Sequence, residues 1–314
     1  MRLLKSIVKI LANSDETLVL DGGMGTEIER RGIILSSPLW SSDSKISPSL
    51  VSEIHHEYLK AGADIIETNT FRASTYILEK SGLDSDVAFE IISAAIGLAV
   101  AARESHGHCF IFGSVAPLED CFRPDLVPSR GILIESHSKT LSFLDSSPDI
   151  DLILCETQNT FQEIETLLEV LSDRSHPSGL SVTLNSKGNL LDGKTSWAKL
   201  LRIINDSSLE FFGVNCSAPD TVTKSLMTIA PMLEKPLAVY ANVGYSDPID
   251  YSQNDFPRDP RAYLEEAKKW LRAGARILGG CCGTTPSHIA ELVSFLRSNY
   301  RFRKPNPFYR VLRP

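Results

Sequence analysis

Residues 260–299 read PRAYLEEAKKWLRAGARILGGCCGTTPSHIAELVSFLRSN. Within Arg261–Leu271, Tyr263, Leu264, Ala267, Trp270 and Leu271 share one face at helical spacing, while Glu265, Glu266, Lys268 and Lys269 point the other way. A short run follows, Ala275 to Leu278, apolar apart from Arg276. Then come two glycines, two adjacent cysteines, and a second helical pattern from Pro286. Helix, buried strand, chemistry-bearing turn and helix make the repeating unit of an α/β fold.

The same unit recurs along the chain. Strands are expected at Leu18–Leu20, Ile65–Glu67, Phe110–Phe112, Leu152–Cys155, Leu180–Leu184, Phe211–Val214, Leu237–Tyr240 and Ile277–Leu278. Helices are expected at Pro48–Ala61, Val87–Ser105, Leu133–Leu144, Phe161–Leu171, Ser196–Asn205, Thr221–Leu233, Pro260–Ala273 and Pro286–Asn299. Near-continuous apolar strands suit a parallel sheet buried on both faces. Repeats without a break in composition predict a single (β/α)8 TIM barrel spanning residues 1–314. An open doubly wound sheet is the rival architecture, but the G-x-G-x-x-G phosphate fingerprint is absent after the first strand.

A chain of 314 residues that is 42% apolar and 23% charged has the material for one large core. A net charge of −7 argues against a nucleic-acid surface. The locally basic end, Arg301 to Pro314, reads as a packed or solvated tail. No apolar stretch approaches the roughly 18 residues that span a bilayer. Lys5 and Lys9 interrupt any signal-peptide core near the start, which reads instead as a short helix covering the barrel floor. Six cysteines are too sparse for a disulfide scaffold, so reduced thiols in a cytoplasmic compartment are expected.

Chemistry in such barrels gathers at the C-terminal ends of strands. Those ends carry Asp21-Gly22-Gly23, Glu67-Thr68-Asn69-Thr70, Gly113-Ser114, Glu156-Thr157, Asn185, Asn215-Cys216, Asn242 and Gly280-Cys281-Cys282. Cys216, Cys281 and Cys282 are three thiolates aimed at one metal. A Zn2+ with three protein ligands keeps a position open for a further thiol, as catalytic rather than structural sites do. The plainer alternative is a buried small residue at Cys216 and a chance or disulfide-bonded pair at Cys281-Cys282. Gly22 and Gly23 allow backbone N–H groups to turn toward a carboxylate, and Asp21 can hold an ammonium or cap a helix. Glu156 after a buried run needs a partner, either a substrate ammonium or an internal ion pair. Asn242 is placed to meet ligand or metal. The face of Trp40 suits a cation such as a sulfonium, or simply packs. Cys109, Cys121 and Cys155 are expected to be structural. Together these groups describe a pocket for a thiol-bearing amino acid.

The blocks Leu20-Asp21-Gly22-Gly23-Met24-Gly25-Thr26-Glu27, Ala61-Gly62-Ala63-Asp64, Glu67-Thr68-Asn69-Thr70-Phe71, Cys155-Glu156-Thr157, Gly213-Val214-Asn215-Cys216 and Gly279-Gly280-Cys281-Cys282 resemble those of the homocysteine S-methyltransferase family. The resemblance implies a (β/α)8 barrel with Zn2+ on Cys216, Cys281 and Cys282. It implies homocysteine as acceptor, with Asp21 and Glu156 near its amino group and Trp40 near the methyl donor. The stretch Gly113 to Pro124 departs from the longer Gly- and aromatic-rich loop of S-methylmethionine-type members. The chain also lacks the C-terminal extension of betaine-dependent members, and it lacks cobalamin and folate modules. The expected function is therefore zinc-dependent methyl transfer from S-methylmethionine or S-adenosylmethionine to homocysteine, giving methionine, in a monomer or small homo-oligomer. Two alternatives are a methyltransferase for another thiol or selenol, such as selenocysteine, and a thiol- or metal-binding barrel without transferase activity.

Overall fold

The computed structural model describes residues 4–12, 16–35, 38–43, 45–243 and 259–299. The basic tail from Arg301 onward lies outside the described residues. Eight parallel strands form one sheet: β1 (Leu18–Val19), β2 (Ile65–Glu67), β3 (Phe110–Val115), β4 (Leu152–Gln158), β5 (Ser178–Val182), β6 (Phe211–Asn215), β7 (Leu237–Ala241) and β8 (Ala275–Gly280). From β2 to β8 each strand pairs with its sequence neighbour, and β1 pairs with β8. The β1–β2 seam is joined by a parallel bridge between Leu20 and Ile65, with Asp21 N–H donating to Ile65 O at 3.0 Å and Asp64 N–H to Val19 O at 2.7 Å. The expected (β/α)8 barrel is present.

Helices wrap the sheet: α3 (Pro48–Ala61), α5 (Ser85–His106), α6 (Arg130–Ser146), α7 (Phe161–Leu171), α8 (Trp197–Asn205), α9 (Pro219–Ile229), α10 (Pro260–Arg272) and α11 (Pro286–Asn299). Local chemistry sets their ends. The side chains of Thr160, Ser196 and Asp259 cap α7, α8 and α10, and Gly62 closes α3 in the left-handed conformation. Two short helices, α2 (Met24–Arg30) and α4 (Thr75–Lys80), add to the expected series.

Side chains alternate across each strand, so the barrel has two apolar regions. Leu18, Leu20, Ile65, Phe110, Phe112, Leu152, Leu154, Phe211, Tyr240 and Ile277 fill its interior. Val19, Ile153, Cys155, Leu180, Val182, Val214, Val239 and Leu278 face the helices. The N-terminal helix α1 (Leu4–Ala12) places Ile7, Ile10 and Leu11 in the interior cluster, where they plug the floor. Both ends of the interior are thereby specified: apolar side chains fill the floor and middle, and polar ones occupy the opposite rim. No described helix is long and apolar enough to cross a membrane.

Candidate functional site

Continuing the alternation upward places the chemistry. On β4, Leu152 and Leu154 point inward and Cys155 outward, so Glu156 points inward above Leu154. The β4–β5 register shifts between Cys155 and Gln158, and Thr157 adopts φ 57°. This bulge fixes how Glu156 is presented. Cys216, one residue past β6, also takes a left-handed φ of 48°, held by its N–H donating to Tyr240 O at 3.2 Å. Cys281 follows β8, with its N–H donating to Ala241 O at 3.0 Å, while Cys282 O accepts from Val243 N–H at 2.7 Å.

These backbone constraints bring three sulfurs from two separate strands together. The Sγ atoms of Cys216, Cys281 and Cys282 all lie within 4.8 Å of one another, and those of Cys216 and Cys282 are 3.8 Å apart. Tetrahedral thiolates with Zn–S bonds of about 2.3 Å sit about 3.8 Å apart, so the donor set suits a thiophilic ion. Among the described residues no His, Asp or Glu joins this group. All six cysteines are free thiols.

The sulfurs open onto a cavity of about 360 Å³ that is also lined by Asp21, Gly22, Gly23, Trp40, Glu156 and Asn242. Every site residue expected from the sequence borders this one space. Glu67, Ser114, Thr157, Phe71, Arg72, Cys121 and Phe122 line it as well. Cys109 and Cys155 are buried in the core. Cys121, expected to be structural, instead forms part of the cavity wall. Asn185 is turned aside, its Oδ1 accepting from the N–H groups of Lys187 and Asn189.

Three carboxylates, Asp21, Glu67 and Glu156, lie at the bottom of this rim cavity, above the apolar layers. Asp21 is 3% exposed. Its Oδ2 accepts Glu67 N–H at 3.1 Å, while Oδ1 is buried with no hydrogen-bond partner. Glu156 Oε1 accepts the Ser114 hydroxyl at 2.5 Å, and Oε2 accepts Asn215 Nδ2 at 3.2 Å. Asn215 is itself fixed: it donates to Thr157 Oγ1 at 2.8 Å and accepts from Thr157 N–H and Ser181 Oγ, each at 3.0 Å. Glu67 Oε1 is another buried acceptor with no hydrogen-bond partner. Burial lifts the Asp21 and Glu67 carboxyls well above their ordinary range, and the neighbouring Glu156 adds to both. Burial, together with the charge of Cys281, pushes Glu156 up to about 8.

The thiols behave likewise. Hydrogen bonds from Cys216 and then Cys281 pull Cys282 down to about 5. Cys216 is held well above its usual value by Cys281 and Cys282. Cys281 is also raised, because Cys282 and burial outweigh the lowering by its bond to Cys216. A buried space with so many acids cannot ionise fully without cations. A metal cation at the sulfurs and a second cation at the carboxylates would meet that demand from two directions.

The glycines serve close packing. A Cβ on Gly22 would lie 2.7 Å from Thr284 Oγ1, and one on Gly23 would lie 2.6 Å from Cys281 O. Gly23 N–H donates to Thr284 Oγ1 at 3.2 Å, and the Thr284 hydroxyl donates to Cys281 O at 2.7 Å. The first and last rim loops are thus locked together beside the sulfurs. A Cβ on Gly25 would overlap the Trp40 indole, so Gly25 makes room for that ring. Trp40 stands edge-on to Phe71 at 6.1 Å. Its loop is pinned by Asn69 Nδ2 donating to Ser41 O at 2.7 Å and Ser42 Oγ donating to Asn69 O at 3.1 Å.

Fold and site together define an α/β-barrel enzyme with a cysteine-lined centre at its C-terminal rim. Comparison with known proteins gives the family. The family model described as homocysteine S-methyltransferase matches residues 18–296, and the chain belongs to that methyltransferase family. A homocysteine S-methyltransferase of Escherichia coli K12 is 31% identical over 304 residues, covering 91% of this chain and 97% of the relative. A selenocysteine Se-methyltransferase of Brassica oleracea var. italica is 26% identical over 318 residues, covering 91% of each. The homocysteine methyltransferase MmuM from Escherichia coli, solved in a metallated form, superposes with a TM-score of 0.78 at 29% identity. That match covers 93% of this chain and 99% of MmuM.

Proposed function

We propose that this enzyme, a single barrel domain, transfers a methyl group from a sulfonium donor to the thiol of L-homocysteine, giving methionine. The donor is S-methylmethionine or S-adenosylmethionine, and Cys216, Cys281 and Cys282 hold Zn2+. The observation that carries this reading is the convergence of three sulfurs within 4.8 Å in one cavity with buried carboxylates. Zn2+ bound there would supply the ionisation that a free thiol, with pKa about 8.5, lacks at neutral pH.

The chain's own groups do the rest. Asp21 and Glu156 take the acceptor's ammonium, with Ser114 and Asn215 keeping the Glu156 carboxylate in place. Trp40, Phe71 and Phe122 line the same cavity and offer π faces to a sulfonium. Transfer from a sulfonium to a thiolate consumes both charges. A fixed, poorly hydrated site therefore favours the transition state over the separated ions. No side-chain base is required for the methyl step. Free thiols in such a site suit a reducing, cytoplasmic compartment.

The test is methionine formation by purified zinc-loaded protein given homocysteine with S-methylmethionine, S-adenosylmethionine or betaine in turn. Turnover with a sulfonium and none with betaine is expected. A higher kcat/KM for selenocysteine than for homocysteine would move the acceptor to the selenol. Homocysteine binding without turnover of any sulfonium would leave a binding barrel.

A further inference from the structure

Among the described residues, one cation faces this acidic cavity outside any salt bridge. Asp21, Glu29, Glu67, Asp120 and Glu156 border it, and Arg72 is the basic side chain among its described lining residues. Yet Arg72 forms no salt bridge among the described residues. Instead two backbone carbonyls hold it, one from each wall: Nε donates to Pro38 O at 3.2 Å and Nη1 to Glu119 O at 2.5 Å. Pro38 belongs to the loop bearing Trp40, and Glu119 to the loop bearing Cys121 and Phe122. Glu119 Oε1 accepts from Lys80 at 2.5 Å and from the Tyr76 hydroxyl at 2.7 Å, and Arg72 acts on this carboxylate only through space. Asp120 Oδ1 accepts Phe122 N–H at 2.9 Å. The second wall is itself anchored, since Asn159 Nδ2 donates to both Asp120 O and Cys121 O.

A guanidinium has five N–H donors in a fixed plane, so three remain after these two bonds. An arginine pre-oriented by carbonyls, in no salt bridge among the described residues, is built to receive a planar anion. The sulfurs and buried carboxylates account for the acceptor's thiol and ammonium. Arg72 stands instead between the loops that carry aromatic side chains assigned to the sulfonium. Resting on that reading of the reaction, we propose that Arg72 binds the α-carboxylate of the methyl donor and so selects sulfoniums that carry one.

The test compares two ligands and needs no turnover. Calorimetric Kd values are measured on zinc-loaded protein without homocysteine, for S-methylmethionine and for its carboxamide. The acidic cavity alone would favour the carboxamide, which carries one more net positive charge. The native protein is expected to bind the acid about 10- to 100-fold more tightly. Arg72→Met should bring that ratio to one or below, and Arg72→Lys, which keeps the charge but not the fork, should leave it between. An unchanged ratio in Arg72→Met overturns the proposal, even if both ligands weaken, because loosened walls affect the two alike. If Arg72→Met fails to fold, a native ratio in Arg72→Lys has the same consequence. A native protein that binds neither sulfonium overturns the proposed function and this inference together. One that binds both with no preference for the acid overturns only the inference.

Discussion

Cys281 stands where three constraints meet: its N–H is bonded to Ala241, its carbonyl to Thr284, and its sulfur lies beside those of Cys216 and Cys282. The backbone bonds do not involve the sulfur. Cys281→Ala should therefore leave melting behaviour near that of the native protein while removing bound metal, and turnover should fall by several orders of magnitude. Elemental analysis and an activity assay on the same sample check both. Asn215 offers a contrasting case. It supports Glu156 and its side chain makes no hydrogen bond to a sulfur, so Asn215→Ala should raise KM for homocysteine roughly tenfold with metal content unchanged. His55 reports on stability instead. It is fully buried, neither ring nitrogen has a hydrogen-bond partner, and burial with the adjacent His56 lowers its pKa to about 4. Between pH 6.5 and 4 the unfolded chain binds the extra proton and the folded one does not. Stability therefore falls as pH drops through that window, by about 3 kcal/mol in all. Melting temperature against pH should show this limb, and His55→Leu should flatten it.

At the scale of elements, the helices with clear apolar periodicity were readable from sequence: α3, α7 and α11 have the expected ends. The strands ran differently. β3 extends to Val115 and β4 to Gln158, beyond the last apolar residue at which the sequence reading stopped. Ladder bonds are made by the backbone, so Ser114, Glu156 and Thr157 remain in the strands while their side chains turn to the cavity. β5 shifts the other way, to Ser178–Val182, because Leu184 leaves to bridge Leu190. The short α2 and α4 span too few residues for periodicity to reveal them. Within the site, the cysteines, Asp21 and Glu156 were legible because each follows an apolar run. The supporting roles of Asn215 and Ser114, and the position of Arg72 between two loops, depend on contacts between distant segments that no local pattern encodes. The floor helix gives the prediction at this scale. Ile7 is fully buried in the barrel interior, so Ile7→Ala should lower stability by about 2–4 kcal/mol. Urea denaturation should show this, with kcat of the folded enzyme unchanged.

For the whole molecule, the barrel's task is to gather at one rim groups drawn from strands distributed along its length. Asp21 follows β1, Glu67 ends β2, Glu156 lies on β4, Cys216 follows β6 and the cysteine pair follows β8. Apolar layers beneath them and locked loops above leave the sulfurs and carboxylates facing one small space. For methyl transfer to a thiol, those sulfurs must keep a place for the acceptor's thiol. Zinc K-edge X-ray absorption on the metal-loaded protein, before and after homocysteine is added, reads this directly. The expected result is about three sulfur neighbours rising to four. Four sulfurs before homocysteine is added, or a count that homocysteine leaves unchanged, would contradict it.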